Sequence, residues 1–369
     1  SISVLSDQTQ VATAEAAEKA RSLKARLISI SQDQTSVRIV RYAFGVTLSA
    51  ALAYGINWPL SFLMPVLVAF MLSLPLPMPS LLTGLRNMWQ TLLAFTLGLL
   101  FTLFFLQFPL VFILMLGLVM YHLYYYLNRG GSLWLTLMSF IAILLLAMLG
   151  NSHEGLAAGV SLNFIWTGWL TVIIVWVSYQ LVPDPEHAPY PQAPGFQTGF
   201  SLPGAEAALK STIVILPLAS LFFLFDLTSY MLVMIFAALF ILKPELSAGR
   251  EAGMNSLVST LLGGAFAWIF YWLIVAVPEF YFYVVLMALT ALYFGSQVFS
   301  GKPTAKYYNS ALIALLILVN GSMGEGAQFT EKFIMRVILI SLAVIYIVAA
   351  LRVLDSFWPV EQPDEESSK

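Results

Sequence analysis

Asp226 is an acidic residue set between two long apolar runs, Phe222-Phe223-Leu224-Phe225 before it and Tyr230 to Phe236 after it. A carboxylate at mid-membrane costs about 2.5–3.5 kcal/mol even on the lenient insertion scale. Burial also disfavours its charged form, which suits a group that binds and releases a proton. A second reading is open: an aspartate at a hairpin tip that reaches interfacial water and caps the next helix. His122, in Tyr121-His122-Leu123-Tyr124-Tyr125-Tyr126, has the chemistry of a proton relay, or belongs to an interfacial aromatic cluster.

Polar residues recur at matching places about 170 positions apart, 169 in the first two pairs. Arg41 opens an apolar hairpin that turns at Asn57-Trp58, and Lys210 opens one that turns at Asp226-Leu227. Between each basic residue and its turn lies a stretch too short to cross a hydrocarbon core of about 30 Å. Gly84-Leu85-Arg86 is answered by Ala248-Gly249-Arg250, and Gly150-Asn151-Ser152 by Asn320-Gly321-Ser322. Short or Pro-interrupted segments in matching repeats point to a transport site. Asn57, Asn151, Ser152, Asn320 and Ser322 are therefore candidate lining of a substrate path, or ordinary helix stops. Arg336, one turn into the last helix with Lys332 at i−4, either faces that path or snorkels outward. Arg41, Lys210, Arg86 and Arg250 could draw an anion to the entrance, or simply anchor helices on the positive side of a membrane.

The elements that carry these residues are hydrophobic helices. Sixty per cent of the 369 residues are hydrophobic and 10% are charged, against about 25% charged in a soluble domain. Twelve apolar segments fall at 42–56, 58–74, 88–106, 110–127, 132–150, 162–182, 211–225, 227–242, 254–277, 280–299, 305–319 and 333–351. They lack the alternation of barrel strands. The expected fold is an all-α polytopic membrane protein with about twelve transmembrane helices in two parallel six-helix repeats. Residues 1–36 form a cytoplasmic segment with a basic helix from Ala12 to Ile30, 37–182 the first repeat and 183–206 a Pro-rich cytoplasmic linker. Residues 207–356 form the second repeat and 357–369 an acidic tail. With the N-terminus in the cytoplasm, 15 of the 17 basic residues fall on that side, leaving Lys332 and Arg336 outside.

The chemistry excluded is as informative. There is no cysteine, and His122, His153 and His187 are far apart, so no metal centre is expected. No phosphate-binding glycine loop or nucleophile elbow appears, so neither a cofactor, a nucleic-acid partner nor an enzyme activity is expected. The polar opening of the chain shows no cleavable signal segment. Small-residue faces such as Gly45, Ser49 and Ala53 allow close helix approach, and a homo-dimer is possible.

Arg41…Gly45…Asn57-Trp58-Pro59…Pro65, followed by the Pro-rich loop into Gly84-Leu85-Arg86, resembles the fusaric acid resistance/aromatic acid exporter superfamily. The second half is similar in Lys210-Ser211-Thr212…Thr228-Ser229-Tyr230…Ser247-Ala248-Gly249-Arg250 and Gly263-Gly264. The likeness covers roughly residues 37–356 and is closest to the compact branch of inner-membrane proteins. It implies a proton-motive-force-driven exporter of aromatic or other small organic acids and drug-like compounds in a bacterial inner membrane, both termini cytoplasmic. It also implies a periplasmic membrane-fusion (adaptor) partner. The chain departs from many members in having only the 183–206 linker where they carry a large soluble domain. The expected function is a secondary exporter. The alternatives are a passive anion channel on the same scaffold and a non-transporting membrane subunit of an adaptor complex.

Overall fold

The computed structural model describes residues 18–22, 25, 29, 33–152, 154–186, 188–192, 195–230, 233, 234, 237, 250–322 and 329–358. Among them all the regular structure is helical, with no strand. The helices are α1 (Gln34–Gly55), α2 (Leu63–Ser73), α3 (Leu81–Phe105), α4 (Pro109–Asn128), α5 (Leu133–Ser152) and α6 (Glu154–Leu181). After the linker come α7 (Leu202–Leu224), a 3-10 turn at Leu227–Tyr230, α8 (Arg250–Ala276), α9 (Phe280–Val298), α10 (Ala305–Ser322) and α11 (Phe329–Phe357). Nine of the described helices are long and apolar enough to cross a membrane, with α2 and the apolar part of α10 shorter. The protein is a multi-pass membrane protein. The eighth apolar segment, 227–242, lies mostly outside the described residues. Of the basic N-terminal segment, 18–22, 25 and 29 are helical.

α1 and α7 begin well before their apolar stretches. Asp33 caps α1 by accepting from the Ser36 amide at 3.1 Å, and the Ser36 hydroxyl and amide hold its carboxyl below the usual range. Ser201 caps α7 in the same way through the Gly204 amide. At 22 and 23 residues these helices rise about 33 Å, enough to span. The short-hairpin expectation is thus corrected. Arg41 and Lys210 sit about two turns inside their helices, because capped polar turns extend each helix beyond its hydrophobic part.

The turns that end α1 and α7 share one geometry. Ile56 and Phe225 have nearly the same backbone angles, and each amide bonds back to two carbonyls. Asn57 and Asp226 follow with φ of 51° and 49°. In the first turn Trp58 N reaches Ala53 O and Asn57 N reaches Tyr54 O, a Schellman cap with Asn57 in its left-handed position. Asn and Asp tolerate that conformation better than other non-glycine residues.

Contacts in the two halves correspond. α3 packs on α5 as α8 packs on α10, and α1 packs on α9 as α7 packs on α4. At Gly98 a Cβ would lie 2.6 Å from that of Ala142, and at Gly263 one would collide with the carbonyl of Ala311. Ala142 and Ala311 are 169 positions apart. α5 and the run Ala311–Val319 of α10 are almost wholly buried, as expected of helices apolar on every side. Tyr42 (α1) donates to Asn309 Oδ1 (α10) at 2.7 Å, and Asn309 Nδ2 donates to Ser73 (α2), tying the halves together.

Each half also closes its first helix on its last. Arg41 donates through Nε to Val182 O at 2.9 Å and pairs with Asp184 at 2.6 Å. Lys210 pairs with Asp355 at 2.8 Å. The first pair is deeply enclosed, at 3% and 16% side-chain exposure, whereas Asp355 is 59% exposed. Removing one partner of a buried pair typically costs about 3–5 kcal/mol, and an exposed pair contributes about 0–1. Unfolding of the purified protein in detergent is expected to show Arg41→Met losing several kcal/mol and Lys210→Met losing little.

Candidate functional site

The loop Leu74–Ser80 between α2 and α3 is rich in proline, so it crosses the end of the bundle without forming a ladder or helix. Ser80 then starts α3, accepting from Thr83 N at 3.2 Å. Beside this helix start lies a cavity of about 430 Å³. α3 supplies Thr83, Arg86 and Asn87, α5 supplies Trp134, and α6 supplies Trp176 and Tyr179.

The aromatic walls are held in place by their polar atoms. Trp134 Nε1 donates to Asn87 O at 3.0 Å and Thr91 Oγ1 at 2.9 Å. Tyr179 Oη donates to Leu76 O at 2.7 Å, and the guanidinium of Arg41 covers its outer face, 3.9 Å from the ring centroid. Both rings line the cavity while their donors are engaged elsewhere. Arg86 is exposed and is the one charged residue among the described residues lining the cavity. A guanidinium favours an anion, and fixed aromatic faces favour a planar apolar body. The arrangement can hold a small aromatic carboxylate.

The linker frames this end of the bundle. Gln34 Nε2 donates to Pro189 O, and the Tyr190 hydroxyl donates to Asp184 at 2.7 Å. Burial, together with the bond to Asp184, pushes the Tyr190 phenol up, so it remains a donor. Arg129 and Gln197 exchange backbone and side-chain bonds at the far end of the linker.

The other expected residues are dispersed. Arg41 and Lys210 are buried in their ion pairs, not displayed at an entrance. Arg250 begins the described part of α8, and its side chain lies outside the description. Asn57 and Asp226 are exposed at their turns. Asn151 lines a second cavity at the opposite end of α5. Asn320 is buried, accepts from Tyr283 Oη at 2.9 Å and leaves its amide nitrogen without a partner. Ser152 and Ser322 end α5 and α10, with side chains outside the description. Arg336 is turned inward, at 7% exposure, so it does not snorkel. His122 is exposed on α4, bonded to Leu118 O and edge-on to Tyr121.

Trp134, Trp176 and Tyr179 were not legible as site residues, because aromatics near helix ends also fit an interfacial belt. Asp184 and Asp355 were missed too, although each follows the sixth helix or its close in one half. Losing a charge-assisted bond typically costs about 1.5–3 kcal/mol. Arg86→Gln is therefore expected to weaken benzoate binding roughly 10- to 100-fold, read by quenching of tryptophan fluorescence.

No curated protein and no solved structure matches the chain. Residues 38–178, which carry the Arg86 cavity apart from Tyr179, match the model of a family described as a protein of unknown function, DUF2955.

Proposed function

We propose that the protein is a secondary transporter that exports aromatic or other small organic acids across a bacterial inner membrane. The observation that carries this reading is the Arg86 cavity. It joins one cation to rigid aromatic walls, and no acidic residue is among its described lining. Anion recruitment and orientation follow from those residues alone. With twelve crossings, 15 of the 17 basic residues would fall on the side of the cavity mouth, which supports a cytoplasmic mouth and cytoplasmic termini in this reading.

The matched contacts of the two halves support a pair of parallel six-helix repeats, each with its third helix crossing the fifth and its first closed on its sixth. Parallel repeats are a recurring transporter plan. Energy comes from the proton gradient in this reading, with Asp226 as the coupling carboxylate at the tip of the second repeat's first turn. A periodic supply of substrate to the periplasmic face suits hand-over to a membrane-fusion partner. The same scaffold as a passive anion channel differs in one respect: it needs no coupling group.

Inverted vesicles with an imposed pH gradient separate the two. The exporter accumulates benzoate against its gradient, and Asp226→Asn abolishes the accumulation while the protein still inserts. Wild-type accumulation in Asp226→Asn would remove Asp226 from the coupling role, and downhill movement alone in both proteins would favour the channel.

A further inference from the structure

Asn87, Thr91, Phe95, Gly98 and Thr102 follow at three- and four-residue spacing, so they share one face of α3. On α6, Val175, Val172, Gly168, Phe164, Ser161 and Ala157 do the same in the opposite direction. The two faces meet along their length. A Cβ at Gly168 would lie 2.5 Å from the methyl of Thr91, Phe95 stacks on Phe164 at 5.3 Å, and Ser161 Oγ reaches Phe95 O at 3.4 Å. α5 forms the third wall, through Trp134 at Thr91 and Ala142 at Gly98.

This seam has a cavity at each end. One is the Arg86 cavity. The other, of about 390 Å³, is lined by Thr102, Leu106, Gln107, Gly150, Asn151 and Ala157. From Asn87 to Thr102, α3 rises about 22 Å, most of the thickness of a hydrocarbon core. The contacts between the halves offer less polar lining. A void at Phe112, Phe223 and Met234 measures about 10 Å³, near the lower limit for one water. The groove between α1 and α9 is larger, about 520 Å³, but its described lining carries Thr47 as the polar residue and otherwise aliphatic and aromatic side chains.

We infer that the substrate anion crosses inside the first half, along the α3–α6 seam walled by α5, and is released from the Asn151 cavity. The stacked pair Phe95–Phe164 is the closed constriction of that path. The inference rests on the transport reading and specifies its route. The two ends differ in chemistry. The Arg86 cavity binds a carboxylate with a guanidinium, while the described lining of the Asn151 cavity has only neutral amide and hydroxyl groups. Hydrogen bonds to a neutral donor are the weaker kind, so the anion leaves more readily there.

The chain has no cysteine, so an introduced thiol is unique. Ser161→Cys lies in the seam at 3% exposure, and Leu97→Cys, at 55%, lies on the outer face of α3. Each is made with and without Phe164→Ala in the full-length protein and reacted in membranes with an anionic methanethiosulfonate. Phe164→Ala is expected to speed labelling of Ser161→Cys about tenfold, to leave Leu97→Cys unchanged, and benzoate is expected to slow the seam reaction. An unchanged Ser161→Cys rate in protein that still elutes as a folded species overturns the route. Where Phe164→Ala fails to fold, Phe164→Leu replaces it under the same criterion. Benzoate transport assayed alongside separates the two claims. Transport without seam labelling sinks the route alone, and seam labelling without transport sinks the choice of substrate alone.

Discussion

The close crossing of α3 on α5 and of α8 on α10 is the contact on which the rest of the bundle depends. Lipid tails are as apolar as leucine, so hydrophobicity alone does not drive one membrane helix against another. Association comes from packing, and packing needs backbones that approach closely. Gly98 against Ala142 and Gly263 against Ala311 provide that approach. With α5 and α10 held there, the remaining helices surround them, and the reciprocal contacts of α1 with α9 and α4 with α7 lock one half to the other. The enclosed Arg41–Asp184 pair then fixes where the linker leaves the first half.

The candidate site follows from the same packing. Because α3 is pinned to α5 at Gly98, its first turns stand at a set distance from Trp134, whose indole bonds to Asn87 and Thr91. Arg41 reaches across to cover Tyr179, so the ion pair that closes the first half also stiffens one wall of the cavity. Arg86 is left exposed among rigid neighbours. Walls held rigid in advance lower the entropic cost of binding a planar ligand beside an exposed cation.

Hydropathy made the helical fold legible, because eleven of the twelve apolar segments coincide with α-helices and the eighth lies mostly outside the described residues. It misjudged α1 and α7 because it registers where a helix is apolar, not where Asp33 or Ser201 caps it. The recurrence of Asn57 and Asp226 was visible, but its chemistry was ambiguous: a left-handed cap selects the same residue types as a polar site would. Arg86 stood out because a basic residue followed a Gly- and Pro-rich loop in both halves. Its aromatic partners come from two other helices, α5 and α6, and no spacing in the chain announces a contact made only by folding. The Asn151 cavity was half legible, since the helix break was plain and its partners Thr102 and Gln107 were not.

A carrier exposes its site to one side at a time, and this distinguishes it from a pore more directly than any static contact. Counterflow reads that property without a coupling ion. Proteoliposomes loaded with unlabelled benzoate and diluted into a trace of labelled benzoate are expected to accumulate label transiently above equilibrium, with Arg86→Gln abolishing the overshoot. Entry of label to equilibrium with no overshoot, in vesicles where the wild-type protein binds benzoate, would contradict the account.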